Sequence, residues 1–195
     1  MEYFLVLAAN YLLGSIPSAY IVGRLKGIDI TQHGSGNVGA TNAFRVLGKW
    51  AGLVVLVIDC LKGVIGVLLA QQVGNPWFVI LAALVVVAGH NYSLFLKFKG
   101  GKGVATAAGI FLVLAPKTVL AALFVFITVV AVSKYVSLGS LVTAATLPII
   151  MMLIGEPLPV RILGTVVAIF VIFRHTSNIK RLLAGKENKI TDKLH

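Results

Sequence analysis

The sequence predicts an all-α polytopic integral membrane protein with seven transmembrane helices, the N-terminus outside and the C-terminus cytoplasmic. Three observations carry that reading. Of 195 residues, 58% are hydrophobic and only 12% charged, whereas a water-soluble domain averages about 25% charged residues; the mean hydropathy is +0.99. The apolar residues fall in runs of membrane-spanning length. The basic residues gather in every second connection between those runs.

A helix rising about 1.5 Å per residue crosses about 30 Å of hydrocarbon in about 20 residues. Residues 3–23, 51–71, 76–96 and 135–155 meet that length, and 158–173 comes close. The first run follows Met1-Glu2 with no basic segment before it, so it reads as a retained span and not as a cleaved signal. Residues 104–133 would form a helix of about 45 Å, and Pro116-Lys117 interrupt them. Two short helices, 104–115 and 117–133, therefore compete with one overlong helix.

The distribution of Lys and Arg decides between them, because cytoplasmic loops collect these residues. Seven spans place Arg24, Lys26, Arg45, Lys49, Lys97, Lys99, Lys102, Lys134, Arg174, Lys180, Arg181, Lys186, Lys189 and Lys193 inside, fourteen of seventeen. Six spans would put the basic tail opposite the first two basic loops. The fourth span is then only about 18 Å long and must be shielded by neighbours. The formal charge of +11 is thus explained by membrane orientation, and no nucleic-acid partner is expected. With no repeat or linker visible, residues 1–195 read as a single membrane-embedded domain, and as a monomer. Cys60 sits in an apolar run as a small hydrophobe.

This topology brings three polar segments to one membrane face, whereas the outer loops are short and chemically poor. The first runs from His33 through Gly34, Ser35, Gly36, Asn37, Val38, Gly39, Ala40, Thr41, Asn42, Ala43 and Phe44 to Arg45. It reads as a glycine-rich loop entering a helix capped by Thr41 or Asn42. Backbone N–H groups turned toward one point bind phosphate, and Arg45 adds a bidentate contact; a solvated cytoplasmic loop is the plainer alternative.

The second segment holds Gly89, His90, Asn91, Tyr92 and Ser93, then Lys97, Phe98, Lys99, Gly100, Gly101, Lys102 and Gly103. It fails the nucleotide-binding pattern, since Leu96 stands where glycine is needed and Gly103, not Ser or Thr, follows Lys102. An anion other than a nucleotide fits better. Lys97 and Lys99 read as membrane-surface anchors and Lys102, bracketed by glycines, as a ligand.

The third segment, residues 174–187, places His175 and Asn178 at i, i+3, so that both can face one spot. The histidine is a candidate general base or a donor to phosphate. An interfacial helix on anionic lipid is the competing reading of this segment. Asp59 and Lys62 share a face of the second span and read as a neutralising pair, with an ion pathway as the alternative.

Metal chemistry has little support: the sequence holds no His-x-x-x-His, no cysteine cluster and few carboxylates near these segments. Neither a metal nor a cofactor is expected. Donors are abundant instead, which suits binding phosphate monoesters and stabilising an oxyanion. Acyl transfer from an already activated acyl phosphate needs orientation more than strong acid–base groups. A carrier for phosphorylated solutes is the rival reading.

The runs Ser35 to Asn42, Gly89 to Tyr92 continuing through Lys99 to Gly103, and His175 to Arg181 with Gly185 to Glu187 together resemble the three motifs of the bacterial acyl-phosphate:glycerol-3-phosphate acyltransferase family. The resemblance covers nearly the whole chain, in order and at matching spacing. It implies a protein of the bacterial inner membrane that transfers a long acyl chain from acyl phosphate to glycerol 3-phosphate, giving 1-acyl-glycerol 3-phosphate and inorganic phosphate. It further implies catalytic or phosphate-contacting roles for Ser35 and Arg45, with Gly36, Asn37, Thr41, Asn42 and His90 among the phosphate-binding residues. Gly100, Gly101, Lys102 and Gly103 would bind the acceptor phosphate, and His175 and Asn178 would be essential. Glu187 would be structural. The His-x-x-x-x-Asp box of other glycerolipid acyltransferases is missing, because Val38, Phe95 and Lys180 stand five residues after His33, His90 and His175. The proton acceptor is then His175 or a substrate phosphate oxygen.

Overall fold

The computed structural model describes residues 1–192, so Lys193, counted above with the basic tail, lies outside the described residues. Ten α-helices are described: α1 (Glu2–Ser15), α2 (Ser18–Leu25), α3 (Ala40–Val46), α4 (Lys49–Gln71), α5 (Pro76–Asn91), α6 (Val104–Leu114), α7 (Pro116–Ser133), α8 (Val136–Ile154), α9 (Leu158–Arg174) and α10 (Thr176–Leu183). Short 3-10 turns occupy Ile30–Gln32 and Leu94–Leu96, and no strand occurs among the described residues. The chain divides into two compact units, Met1–Val113 and Leu114–Asp192.

Four stretches are long and apolar enough to cross a membrane alone: Lys49–Gln71, Pro76–Leu96, Pro116–Ser133 and Val136–Ile154. The bent pairs α1–α2 (42°) and α9–α10 (57°) raise that number to six. The 11-residue α6 is too short, at about 17 Å, to count as a further crossing by length. Two of the boundaries follow from proline. Leu114 ends α6 and Pro116 opens α7, where the missing N–H costs nothing. The run 3–23, read from sequence as one span, instead breaks at Ile16-Pro17, because the Pro17 ring obstructs a continuing helix.

In the first unit, α1 packs on α5 and α4. The buried Asn10 amide donates to Gly66 O (3.1 Å) on α4 and to Ala82 O (3.2 Å) on α5, so one side chain pins three helices. Glycines permit the closest approaches. A methyl group at Gly14 would overlap Val86 O, and one at Gly89 would overlap Tyr11 O. The short α6 gains its shielding the same way: Gly63 lies against Thr106 O and Gly109 against Cys60 O, so α4 and α6 touch backbone to backbone.

In the second unit, α8 packs against both α7 and α9. Gly164 leaves room for the Met151 sulfur, and Thr118 Oγ1 donates to Glu156 Oε1 (2.7 Å), joining the start of α7 to the turn before α9.

Candidate active site

The first polar segment is shaped by its own side chains. Asp29 Oδ1 accepts from the Thr31 N–H (3.1 Å) and the Thr31 hydroxyl (2.6 Å), which starts the 3-10 turn. Those bonds, helped by Arg24 at 3.1 Å, hold the Asp29 carboxyl below its ordinary range. The loop then turns through Gly34 (φ 61°) and Gly36 (φ 68°), a backbone conformation that side chains resist. A Cβ at Gly36 would also lie 2.9 Å from Thr31 O.

Helix α3 opens at Ala40 with Gly39 as its N-cap, and no side chain caps it. Thr41 and Asn42 therefore do not cap the helix, contrary to the sequence expectation; they sit in its first turn. Asn42 is buried and acts across the loop: its Oδ1 accepts from the Ser35 N–H (3.0 Å), and its Nδ2 donates to Ile30 O (3.3 Å) and His33 O (3.1 Å). Both amide protons are thus committed to carbonyls, and Asn42 fixes the loop's shape. Ser35 is left exposed, its Oγ accepting from the Asn37 N–H (3.4 Å), while Thr41 and Arg45 are half-buried one helical turn apart.

The second segment folds around His90 at the end of α5. Tyr92 ends the helix, and Lys97 (φ 52°) and Phe98 (φ 61°) both adopt the left-handed conformation, which is uncommon for such residues. The chain then returns so that the Gly101 N–H donates to His90 O (3.0 Å). Space here admits only glycine. A methyl at Gly100 would overlap His90 O, and one at Gly101 would overlap His90 Nε2. Gly103 (φ 81°) then leads into α6, next to half-buried Lys102.

Beside this loop lies a recess of about 180 Å³ of empty space, part of it open solvent. Its walls include Ser18, Val38, Asp59, Lys62, His90 and Gly101. The sequence expectation that Asp59 and Lys62 pair is met, at 2.6 Å. The sequence reading missed the partners from the α1–α2 break: the Ser18 hydroxyl donates to Asp59 Oδ1 (2.6 Å), and Lys62 Nζ donates to Ile16 O. Asn91, named in the second segment, was given no role of its own. Its amide is fully buried, and neither polar atom has a hydrogen-bond partner in the protein.

In the second unit, His175 and Asn178 are both buried, at 3% and 4% exposure. His175 ends α9, and its Nδ1 lies 2.7 Å from Val171 O. A carbonyl only accepts, so Nδ1 carries a proton. Asn178 Nδ2 donates to Glu187 Oε1 (2.7 Å), which also accepts from Ser137 Oγ (2.9 Å), and Arg181 Nε donates to Glu187 Oε2 (2.6 Å). Burial alone would raise the Glu187 carboxyl; the bonds from Asn178, Arg181 and Ser137 together with the Arg181 charge hold it below its ordinary value.

Helices of membrane-crossing length that carry glycine-lined, cationic loops at their ends define an integral membrane protein. The model of the family described as glycerol-3-phosphate acyltransferase matches residues 4–185. Glycerol-3-phosphate acyltransferase 2 of Moorella thermoacetica is 52% identical over 98% of this chain and 99% of its own. The glycerol-3-phosphate acyltransferase of Trichlorobacter lovleyi is 48% identical over 94% and 95%. The crystal structure of PlsY (YgiH), an integral membrane glycerol 3-phosphate acyltransferase in its glycerol 3-phosphate form, superposes with a TM-score of 0.92 at 38% identity, covering 97% of this chain and 96% of that one. Its lysophosphatidic acid form gives 0.90 at the same identity, covering 97% and 95%. The chain belongs to the glycerol-3-phosphate acyltransferase family.

Proposed function

We propose that this protein transfers a long acyl chain from acyl phosphate to the sn-1 hydroxyl of glycerol 3-phosphate, releasing lysophosphatidic acid and inorganic phosphate. The observation that carries the reading is full-length likeness to a structure that has been crystallised in glycerol 3-phosphate and lysophosphatidic acid forms. The hydroxyl oxygen attacks the acyl carbonyl carbon, the bond from that carbon to the phosphate oxygen breaks, and the hydroxyl proton passes to a base. His175 Nε2 or a phosphate oxygen of the substrate accepts it. Because acyl phosphate already carries a good leaving group, the protein contributes mainly orientation and charge stabilisation.

The local geometry is compatible with the following roles. Lys102 and the backbone of Gly100, Gly101 and Gly103 hold the phosphate of glycerol 3-phosphate, with His90 beneath the loop. Arg45, Ser35, Thr41 and the backbone of Gly36 and Asn37 hold phosphate and the developing oxyanion, while Asn42 keeps that loop in shape. Asn178 orients a substrate group from a position fixed by Glu187. The basic connections support seven spans with the N-terminus outside, the reactive face cytoplasmic, and residence in the bacterial inner membrane as a monomer among lipids. In detergent, labelled glycerol 3-phosphate and palmitoyl phosphate are expected to give labelled lysophosphatidic acid. Uptake of glycerol 3-phosphate into sealed vesicles without that product would favour a carrier.

A further inference from the structure

A buried ion pair lies a helical turn or more inside α4, and the acyl-transfer chemistry does not use it. Asp59 is 1% exposed and Lys62 2%. Replacing a buried pair with apolar residues of similar volume is often neutral or stabilising, so stability alone does not account for one. Its contacts point elsewhere. Asp59 Oδ1 accepts from Ser18 Oγ and Lys62 Nζ, both at 2.6 Å, and lies 3.7 Å from His90 Nδ1, while Lys62 Nζ also reaches Ile16 O at the α1–α2 break. The opposite edge of the same imidazole, Nε2, is the surface against which Gly101 packs, and the His90 carbonyl receives the Gly101 N–H. A continuous line of contacts therefore runs from the helix break through Lys62, Asp59 and His90 into the glycine loop that carries Lys102, all within the first unit.

We propose that Asp59 and Lys62 are positioning residues for glycerol 3-phosphate binding: they fix the plane of His90, and His90 fixes the Gly100–Gly103 loop. The inference rests on the assignment of that loop to the glycerol 3-phosphate phosphate. The Asp59 carboxylate, 3.7 Å from Nδ1, acts on the ring through its charge and its packing and not through a hydrogen bond, and an asparagine there keeps the shape but removes the charge. The loss then appears in acceptor affinity, since the acyl donor does not depend on this loop.

The test compares Asp59→Asn, Lys62→Met and the apolar double variant D59L/K62M with Lys102→Ala as reference, each measured for thermal stability and for KM of both substrates. The double variant is expected to melt within a few degrees of the parent, yet to raise KM for glycerol 3-phosphate about fivefold or more and that for palmitoyl phosphate less than about twofold. A pair with only a structural role would show the opposite: a KM that recovers wherever the melting temperature recovers. That result overturns the proposal, as does an equal rise for both substrates. If none of the three pair variants can be purified folded, Ser18→Ala decides, since it removes one bond to Asp59 and keeps both charges; an unchanged glycerol 3-phosphate KM there overturns the proposal. Should Lys102→Ala raise that KM while the Asp59 and Lys62 variants do not, the positioning role fails alone. Should Lys102→Ala leave it unchanged, the loop assignment fails and the positioning role falls with it.

Discussion

At the scale of single residues, the two units use their polar side chains differently. In the first unit, Asn42 shapes the loop that carries exposed Ser35, and His90 packs against the loop that carries half-buried Lys102; in the second, Glu187 gathers Asn178, Ser137 and Arg181. Lys102→Ala is expected to raise KM for glycerol 3-phosphate about ten- to a hundredfold, the worth of a charged hydrogen bond, with the donor KM nearly unchanged. Equal effects on both constants would contradict the assignment. His175→Ala is expected to leave the melting temperature close to the parent's and to lower kcat about 10²- to 10⁴-fold; retention of most of the rate would remove His175 from the reaction. Glu187 gives a pH signature. Its carboxyl is held below the ordinary value, so its stabilising bonds are complete at neutral pH and are lost as pH falls through and below the usual carboxylate range. Melting temperatures followed from neutral pH to below the usual carboxylate range should therefore fall more steeply for the parent than for Glu187→Gln, and parallel curves would count against the role given to this cluster.

At the scale of elements, glycine contacts decide which helices can approach. The close crossing of α4 and α6 depends on Gly63 and Gly109, where added side chains would collide with backbone carbonyls. Gly109→Val is expected to cost about 1–3 kcal/mol, seen as a lower melting temperature, because overpacking there must push two helices apart. An unchanged melting temperature would mean that α6 gains its shielding elsewhere. Much of this was legible in the sequence. Pro116 announced the α6–α7 boundary, and the i, i+3 spacing of Asp59 and Lys62 announced their pairing. What escaped notice depends on partners distant along the chain: Ser18 lies 41 residues from Asp59, and no periodicity signals that bond. The break at Pro17 was masked because hydropathy stays high across it, although proline geometry alone was sufficient warning. The capping role expected of Thr41 or Asn42 failed for a local reason: Gly39 already provides the extended backbone that an N-cap needs (φ −130°, ψ 171°), which frees Asn42 to bridge the loop.

At the scale of the whole molecule, the three motifs named the family, whereas hydropathy alone could not count the spans. Four stretches qualify outright and two more as bent pairs, while α6 is too short to register by length. The basic residues supply the remaining argument for seven crossings. Single cysteines placed at Lys97, Lys117 and Lys186 in a Cys60-free background are expected to label from one side at positions 97 and 186 and from the other at 117; label reaching 186 from the same side as 117 would refute the proposed topology. The central claim is chemical, and one measurement reaches it most directly. Purified protein is given glycerol 3-phosphate with either palmitoyl phosphate or palmitoyl-CoA, and inorganic phosphate and lysophosphatidic acid are followed together. Acyl transfer from acyl phosphate requires one phosphate released per lysophosphatidic acid formed, with no product from the thioester. Product from palmitoyl-CoA, or phosphate release without lysophosphatidic acid, would contradict it.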